Sequence, residues 1–83
     1  MPTILTINGH RVVIYTADHR PAHVHVVGSG FEVVFNLNCP NGPIEIRTIG
    51  GKVTDAAIRR IARLIEAETA ALCAAWRKHH GNY

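Results

Sequence analysis

Residues 18–26, which read Asp-His-Arg-Pro-Ala-His-Val-His-Val, carry the densest group of chemically reactive side chains in the sequence. They hold three of the six histidines and one carboxylate. Imidazole is the commonest metal ligand among side chains, and it also changes charge near physiological pH. The segment therefore predicts a functional site, and its candidate catalytic residues are Asp18, His19, His23 and His25.

The spacing of two of these histidines favours a shared orientation. His23 and His25 alternate with Val24 and Val26 in an expected strand. Side chains of a strand point alternately to its two faces, so both rings should lie on one face and both valines on the other. An isolated His-x-His pair is also compatible with an ordinary solvated sheet face, because short motifs have many false positives.

A stiff corner is expected just before this strand. Pro21 fixes its own φ and disfavours the helical region at Arg20. We expect this corner to bring Asp18 and His19 close to the start of the strand. A carboxylate there would orient and charge an imidazole ring.

Two chemistries fit such a group. In the first, the histidines act as phosphate contacts or as acid and base on a nucleic acid, Asp18 orients a ring, and Arg20 and Arg47 neutralise phosphate. In the second, His23, His25 and either His19 or Asp18 bind zinc or another divalent ion. The pattern alone leaves both alternatives, and with them the question of enzymatic activity, open.

Composition describes a small folded protein. Its 83 residues predict a single domain over 1–83, and 47% apolar against 18% charged residues excludes a disordered chain. No stretch is long and apolar enough to cross a bilayer, and no signal peptide is recognisable, so we expect a cytoplasmic protein without membrane contact. The net charge of +3 favours an anionic partner only mildly.

The two cysteines match no metal-binding spacing. Cys73 falls on an apolar helical stripe, whereas Cys39 precedes a proline in a turn. A cytosolic compartment keeps thiols reduced, so we expect no disulfide.

Alternating apolar residues and turn signals predict an α+β fold with an antiparallel sheet of four to five strands. The expected strands cover residues 3–7, 10–16, 23–27, 31–37 and 44–49, with Asn8-Gly9 as a hairpin turn. If Ser29-Gly30 is a two-residue loop, His25 lies opposite Val34 and His23 opposite Asn36. That register keeps both imidazoles off the core face.

One long helix should follow the sheet. It is expected to begin at Thr54 or Asp55, to run to about His80 and to end at Gly81. A stripe at helical spacing should pack it on one face of the sheet: Ile58, Ile61, Ala62, Ile65, Thr69, Leu72, Cys73 and Trp76.

Two other features of this helix suggest binding surfaces. Arg59, Arg60 and Arg63 lie in its first half, where the macrodipole does not favour cations, so they are candidates for nucleic-acid binding or simply a solvated face. A second strip consists of small or apolar residues that permit close approach of a helix, including one from a second copy: Leu64, Ala67, Ala71 and Ala75.

The chain resembles the small prokaryotic domain-of-unknown-function family 4160. The resemblance covers most of the chain and includes the Met-Pro-Thr-Ile start, the strand with Tyr15, the motif Asp18-His19-x-Pro21-x-His23-Val24-His25-Val26 and a C-terminal helix with Trp76. Ala22 departs from the second proline that is usual there.

That family has no settled activity, and its members look like parts of two-gene, toxin-antitoxin-type operons. The resemblance therefore implies a protein partner encoded nearby and favours an operon protein that acts on or binds RNA or DNA. The alternatives are a divalent-metal-binding protein that uses the same histidines and a non-enzymatic interaction module.

Overall fold

The computed structural model of the protein describes residues 3–7 and 9–83. Asn8, the first residue of the predicted hairpin turn, and the Met1-Pro2 start lie outside the described residues. The fold is α+β: a five-stranded antiparallel sheet is followed by two C-terminal helices.

The five strands follow one another in the sheet in chain order, so each pairs with its sequence neighbour. They are β1 (Thr3–Ile7), β2 (His10–Ile14), β3 (His23–Gly28), β4 (Phe31–Asn36) and β5 (Glu45–Gly51). Direct connections between successive antiparallel strands give this simple order. The two longer connections are residues 15–22, which hold Asp18, and residues 37–44, which hold Cys39.

The predicted register of β3 and β4 is confirmed. His25 pairs with Val34 and His23 with Asn36, across the two-residue Ser29-Gly30 turn. Since alternate residues share a face, this pairing places the imidazoles on one face of the sheet and joins Val24 and Val26 to the core face.

The edge strand β5 departs from regular alternation. Thr48 pairs with Val34 but Ile46 pairs with Phe35, so Arg47 is an extra residue in a β-bulge. The bulge shifts the alternation by one residue.

The prediction of one long helix is wrong. The segment forms α1 (Asp55–Ala67) and α2 (Thr69–His80), separated at Glu68. The hydroxyl of Thr69 shares its hydrogen between the carbonyls of Ile65 and Glu66. These side-chain hydrogen bonds compete with the regular backbone hydrogen bonds of the helix at this point. Thr54 caps the start through the Ala57 N–H, and Gly81 ends α2 with a positive φ of 86°. Neither helix has the length and apolarity that crossing a bilayer requires.

The core lies between the helices and one face of the sheet. The helical stripe supplies Ile58, Ile61, Ile65, Leu72, Cys73 and Trp76, all buried. The sheet contributes Val12, Ile14, Val24, Val26, Val33, Phe35 and Leu37. Trp76 is fully buried in this layer, in agreement with its predicted core position.

The expectation of free cysteines is wrong, because Cys39 and Cys73 form a disulfide. The loop between β4 and β5 folds back over α2 and brings their Cα atoms to 5.8 Å, within the range that a disulfide requires. Cys73 is buried as predicted, and Cys39 is half-buried against the core. The disulfide thus fastens the β4–β5 loop to the helix that carries Trp76.

Reduction of this disulfide should lower the stability of the protein. The bridge joins residues 34 apart, and the loss of unfolded-state entropy for such a loop corresponds to about 4 kcal/mol. We expect urea unfolding followed by circular dichroism to show a lower midpoint for wild type in the presence of a reductant. The control is Cys39→Ala, whose midpoint should not respond to the reductant; a wild-type midpoint that also fails to respond would contradict the bridge.

Candidate functional site

The carboxylate of Asp18 is the centre of a three-residue group at one end of the sheet. Its Oδ1 lies 3.2 Å from Nε2 of His25 and 3.5 Å from Nε2 of His23. Its Oδ2 accepts a hydrogen bond of 2.9 Å from the backbone N–H of Tyr15, and the N–H of Asp18 donates to the Tyr15 carbonyl. This reciprocal pair of bonds closes the turn after β2 and fixes the carboxylate in front of both rings.

His23 is oriented by the corner that precedes it. Its Nδ1–H donates to the carbonyl of Pro21 at 2.8 Å, which leaves Nε2 facing Asp18. A carbonyl oxygen can only accept, so Nδ1 must carry a hydrogen. In neutral His23 the Nε2 atom then presents a lone pair to the Asp18 oxygen.

His25 faces a carboxylate on each side. Its Nε2 approaches Asp18, and its Nδ1 lies 3.3 Å from Oε2 of Glu32. The approach of Glu32 is not aligned as a hydrogen bond, so within the described part of the chain the buried Nδ1 has no hydrogen-bond partner. Asn36 is the cross-strand neighbour of His23, and among the described residues its buried Oδ1 also has no hydrogen-bond partner.

The four ring nitrogens therefore face four oxygen contacts. A neutral imidazole has one N–H and one lone pair, so each neutral ring can satisfy only one of its two oxygens. A cation that both Nε2 atoms share with Oδ1 of Asp18 would satisfy the two contacts that neutral rings leave unmatched.

The expectation that both rings avoid the core is wrong for His23, which is only 5% exposed. The end of α2 covers it: the Trp76 ring lies 5.2 Å from the His23 ring, and His80 packs on Trp76 at 4.3 Å. The Nε2–H of His80 donates to the Tyr15 carbonyl, which closes the cover over the turn that holds Asp18. The register was correct, but the helix reaches around the end of the sheet.

His25 is less enclosed. Its side chain is 16% exposed, that of Asp18 is 12% exposed, and the ring of Tyr15 stands edge-on to His25 at 4.7 Å. In the sheet His25 lies between Val13 and Val34, both of which are buried. The site is thus a semi-enclosed pocket of polar atoms, a setting in which electrostatic interactions are stronger than in water.

The ligand atoms have the composition of a metal site, and two of their three separations match one. One ligand atom from each of Asp18, His23 and His25 lies within 4.8 Å of the others. Ligands about 2.0–2.1 Å from a tetrahedral zinc ion are separated by about 3.3 Å, close to the two nitrogen–oxygen distances of 3.2 and 3.5 Å. Two histidines and one carboxylate are also a ligand set used for iron and zinc.

Other predicted site residues lie elsewhere. His19 and Arg20 are exposed, and His19 is not part of the group of potential ligands. The remaining predicted cations are all exposed, either on β5 or on α1: Arg47, Arg59, Arg60 and Arg63. The structure therefore brings together three of the four predicted catalytic candidates.

Sequence reasoning did not assign four contributors to the site. The β3–β4 register places Glu32 and Asn36 on the histidine face, and this register was the signal from which their presence at the site could have been predicted. Trp76 and His80 come from the far end of the chain, and their spacing of four on a helix predicts only that they are neighbours on one face. Nothing in that spacing indicates contact with His23.

Comparison with curated proteins yields no match, and comparison with solved structures yields none either. A family model described as a domain of unknown function (DUF4160) matches residues 9–77. This range includes the Asp18 turn, both strand histidines, Glu32 and Trp76. The chain belongs to the DUF4160 family.

Proposed function

We propose that the protein binds a divalent transition metal, of which zinc is the best fit, through Oδ1 of Asp18 and Nε2 of His23 and His25. The observation that carries this proposal is the direction of the two Nδ1 atoms. Nδ1 of His23 donates to the Pro21 carbonyl, and Nδ1 of His25 lies beside the Glu32 carboxylate. If a metal takes both Nε2 lone pairs, Nδ1–H of His23 keeps its acceptor, and Nδ1–H of His25 faces the Glu32 carboxylate at 3.3 Å, whose exposed side chain can turn to accept it.

The surrounding groups support this assignment. Metal-bound histidines typically donate their second N–H to a carbonyl or a carboxylate, as Pro21 and Glu32 allow here. The backbone N–H of Tyr15 holds the other oxygen of Asp18, which fixes the direction of Oδ1. Oδ1 of Asn36, the cross-strand neighbour of His23, is buried without a hydrogen-bond partner among the described residues, so a water molecule or an added ligand in contact with it would find an acceptor.

Three protein ligands leave a coordination position for a molecule from outside the protein. Such an ion, when bound, supplies a Lewis acid that polarises that molecule. The residual exposure of Asp18 and His25 gives access to the site, while Trp76 and His80 cover His23. The arrangement thus suits a small polar ligand better than a large one.

Metal content provides the direct test. Untagged protein should contain one zinc ion per chain by elemental analysis and should take up zinc by isothermal titration calorimetry after chelator treatment. Since loss of an outer partner alone weakens metal binding by about 10- to 100-fold, we expect His25→Ala and Asp18→Asn to weaken it by more than about 100-fold and Glu32→Gln by about tenfold.

The matched controls are His19→Ala and His79→Ala, which remove exposed imidazoles outside the group. Both should bind zinc as wild type does, and circular dichroism should confirm the fold of every variant. Wild-type protein that holds no metal and takes up none would show that the proposal is wrong.

A second candidate function, nucleic-acid binding, is supported by the arginines of α1. Arg59, Arg60 and Arg63 are exposed, and among the residues that the structure describes none of them pairs with a carboxylate. Arg59 and Arg63 are one turn apart, so both can contact one phosphate backbone. Such binding would suit the toxin-antitoxin-type operon setting that the resemblance implies.

Salt dependence tests this second function. In a fluorescence titration with single-stranded RNA, Arg59→Ala/Arg63→Ala should weaken binding and reduce the slope of log K against log salt by about 0.7 for each phosphate that the protein no longer neutralises. The control Arg11→Ala/Lys78→Ala removes the same charge from other exposed positions and should change the slope less. Equal effects of the two double variants, or no binding of RNA and duplex DNA at low salt, would contradict a dedicated surface.

A further inference from the structure

The edge strand β5 is uncovered along its whole length. It pairs only with β4, and all seven of its residues are exposed. Two of them are large and apolar: Ile46 is 46% exposed and Ile49 is 49% exposed. An unpaired strand edge presents a row of free N–H and C=O groups, which is a template for another strand.

The bulge at Arg47 gives this edge a single apolar side. Ile46 pairs with Phe35 and Ile49 pairs with Val33, and both partners belong to the core. In a regular strand, residues three apart would point to opposite faces. The extra residue instead puts both isoleucines on the helix side, where the helices do not cover them.

We propose that the occupant of this edge is a second copy of the chain, paired antiparallel through β5 about a two-fold axis at Ile49. In this register Ile49 lies opposite Ile49 of the second copy. Because of the bulge, Ile46 and Arg47 together lie opposite Gly51 of the second copy, and since glycine has no side chain the isoleucine has room there. Ile46, Ile49 and Gly51 all face the helix side, so the isoleucines of both copies form one apolar row that pairing removes from water.

Charge supports a second copy over an unrelated strand. Glu45 begins β5, and Lys52 directly follows its end at Gly51. In the antiparallel arrangement about Ile49, Glu45 of each copy lies opposite Lys52 of the other. The edge is therefore complementary to itself, as a two-fold interface requires. This surface is separate from the helix strip with Ala71 that the sequence suggested for a dimer.

Sedimentation velocity over a range of concentrations tests this pairing on the full chain. Wild type should change from a 9.1 kDa monomer to a species of twice that mass as the concentration rises. Ile49→Lys places two lysines opposite each other across the two-fold axis, so it should weaken association by more than about 100-fold. Ile49→Thr, which adds no charge, should weaken it by about tenfold. The Ile49 side chain is half exposed in the monomer, so circular dichroism should remain unchanged.

Two controls separate this interface from the alternatives. Thr6→Lys adds the same charge to the exposed face of the opposite edge strand, and Ala71→Glu alters the helix strip; both should dimerise as wild type does. A dimer that is lost with Ala71→Glu but kept with Ile49→Lys would overturn the proposal in favour of the helices. A wild type that stays monomeric up to about 1 mM would overturn it too and would leave the edge to a strand of another protein.

Discussion

The structure of the site depends on one oxygen atom that serves two imidazoles. Oδ1 of Asp18 is within 3.5 Å of Nε2 of both His23 and His25. Because Pro21 and Glu32 offer oxygens at the opposite ends of these rings, neutral histidines cannot satisfy the group by themselves. A buried polar group without a partner costs about 1–3 kcal/mol, and Nδ1 of His25 is such a group among the described residues.

The residues at the end of α2 cover this group of contacts. Trp76 is fully buried and lies against His23, and its indole N–H donates to the carbonyl of Asn82, which holds the chain beyond α2 in place. His80 adds a second aromatic layer and bonds to the backbone of Tyr15. Removal of water lowers the local dielectric and makes unbalanced charge more costly. The same residues that complete the core thus set the electrostatics of the site.

Much of the fold could be predicted because several local signals agreed. The Ser29-Gly30 turn and the alternation of β4 favoured one register in which Val24 and Val26 joined the core, and that register also paired the two imidazoles. The helical region and its buried stripe followed from periodicity alone. The break at Glu68 could not be predicted in this way, since the apolar stripe continues through it. The break is accompanied by the hydrogen bonds of the Thr69 hydroxyl, which periodicity does not reveal.

The remaining features depend on contacts between distant parts of the chain. Cys39 and Cys73 are separated by 34 residues with no motif spacing, so their bridge required knowledge of the path of the β4–β5 loop. The burial of His23 likewise results from where α2 ends relative to the sheet. Strand periodicity assigns a side chain to a face, but it cannot say whether a later element covers that face.

The hydrogen bond between His80 and the Tyr15 carbonyl joins positions 65 residues apart. During synthesis on the ribosome, Asp18, His23 and His25 leave the exit tunnel well before the helix that shields them. A nascent chain therefore displays these side chains to the surrounding solution, and the enclosed site arises only after translation has passed His80. Until then the histidine pair has neither the Trp76 cover nor the His80 contact that define its electrostatic environment.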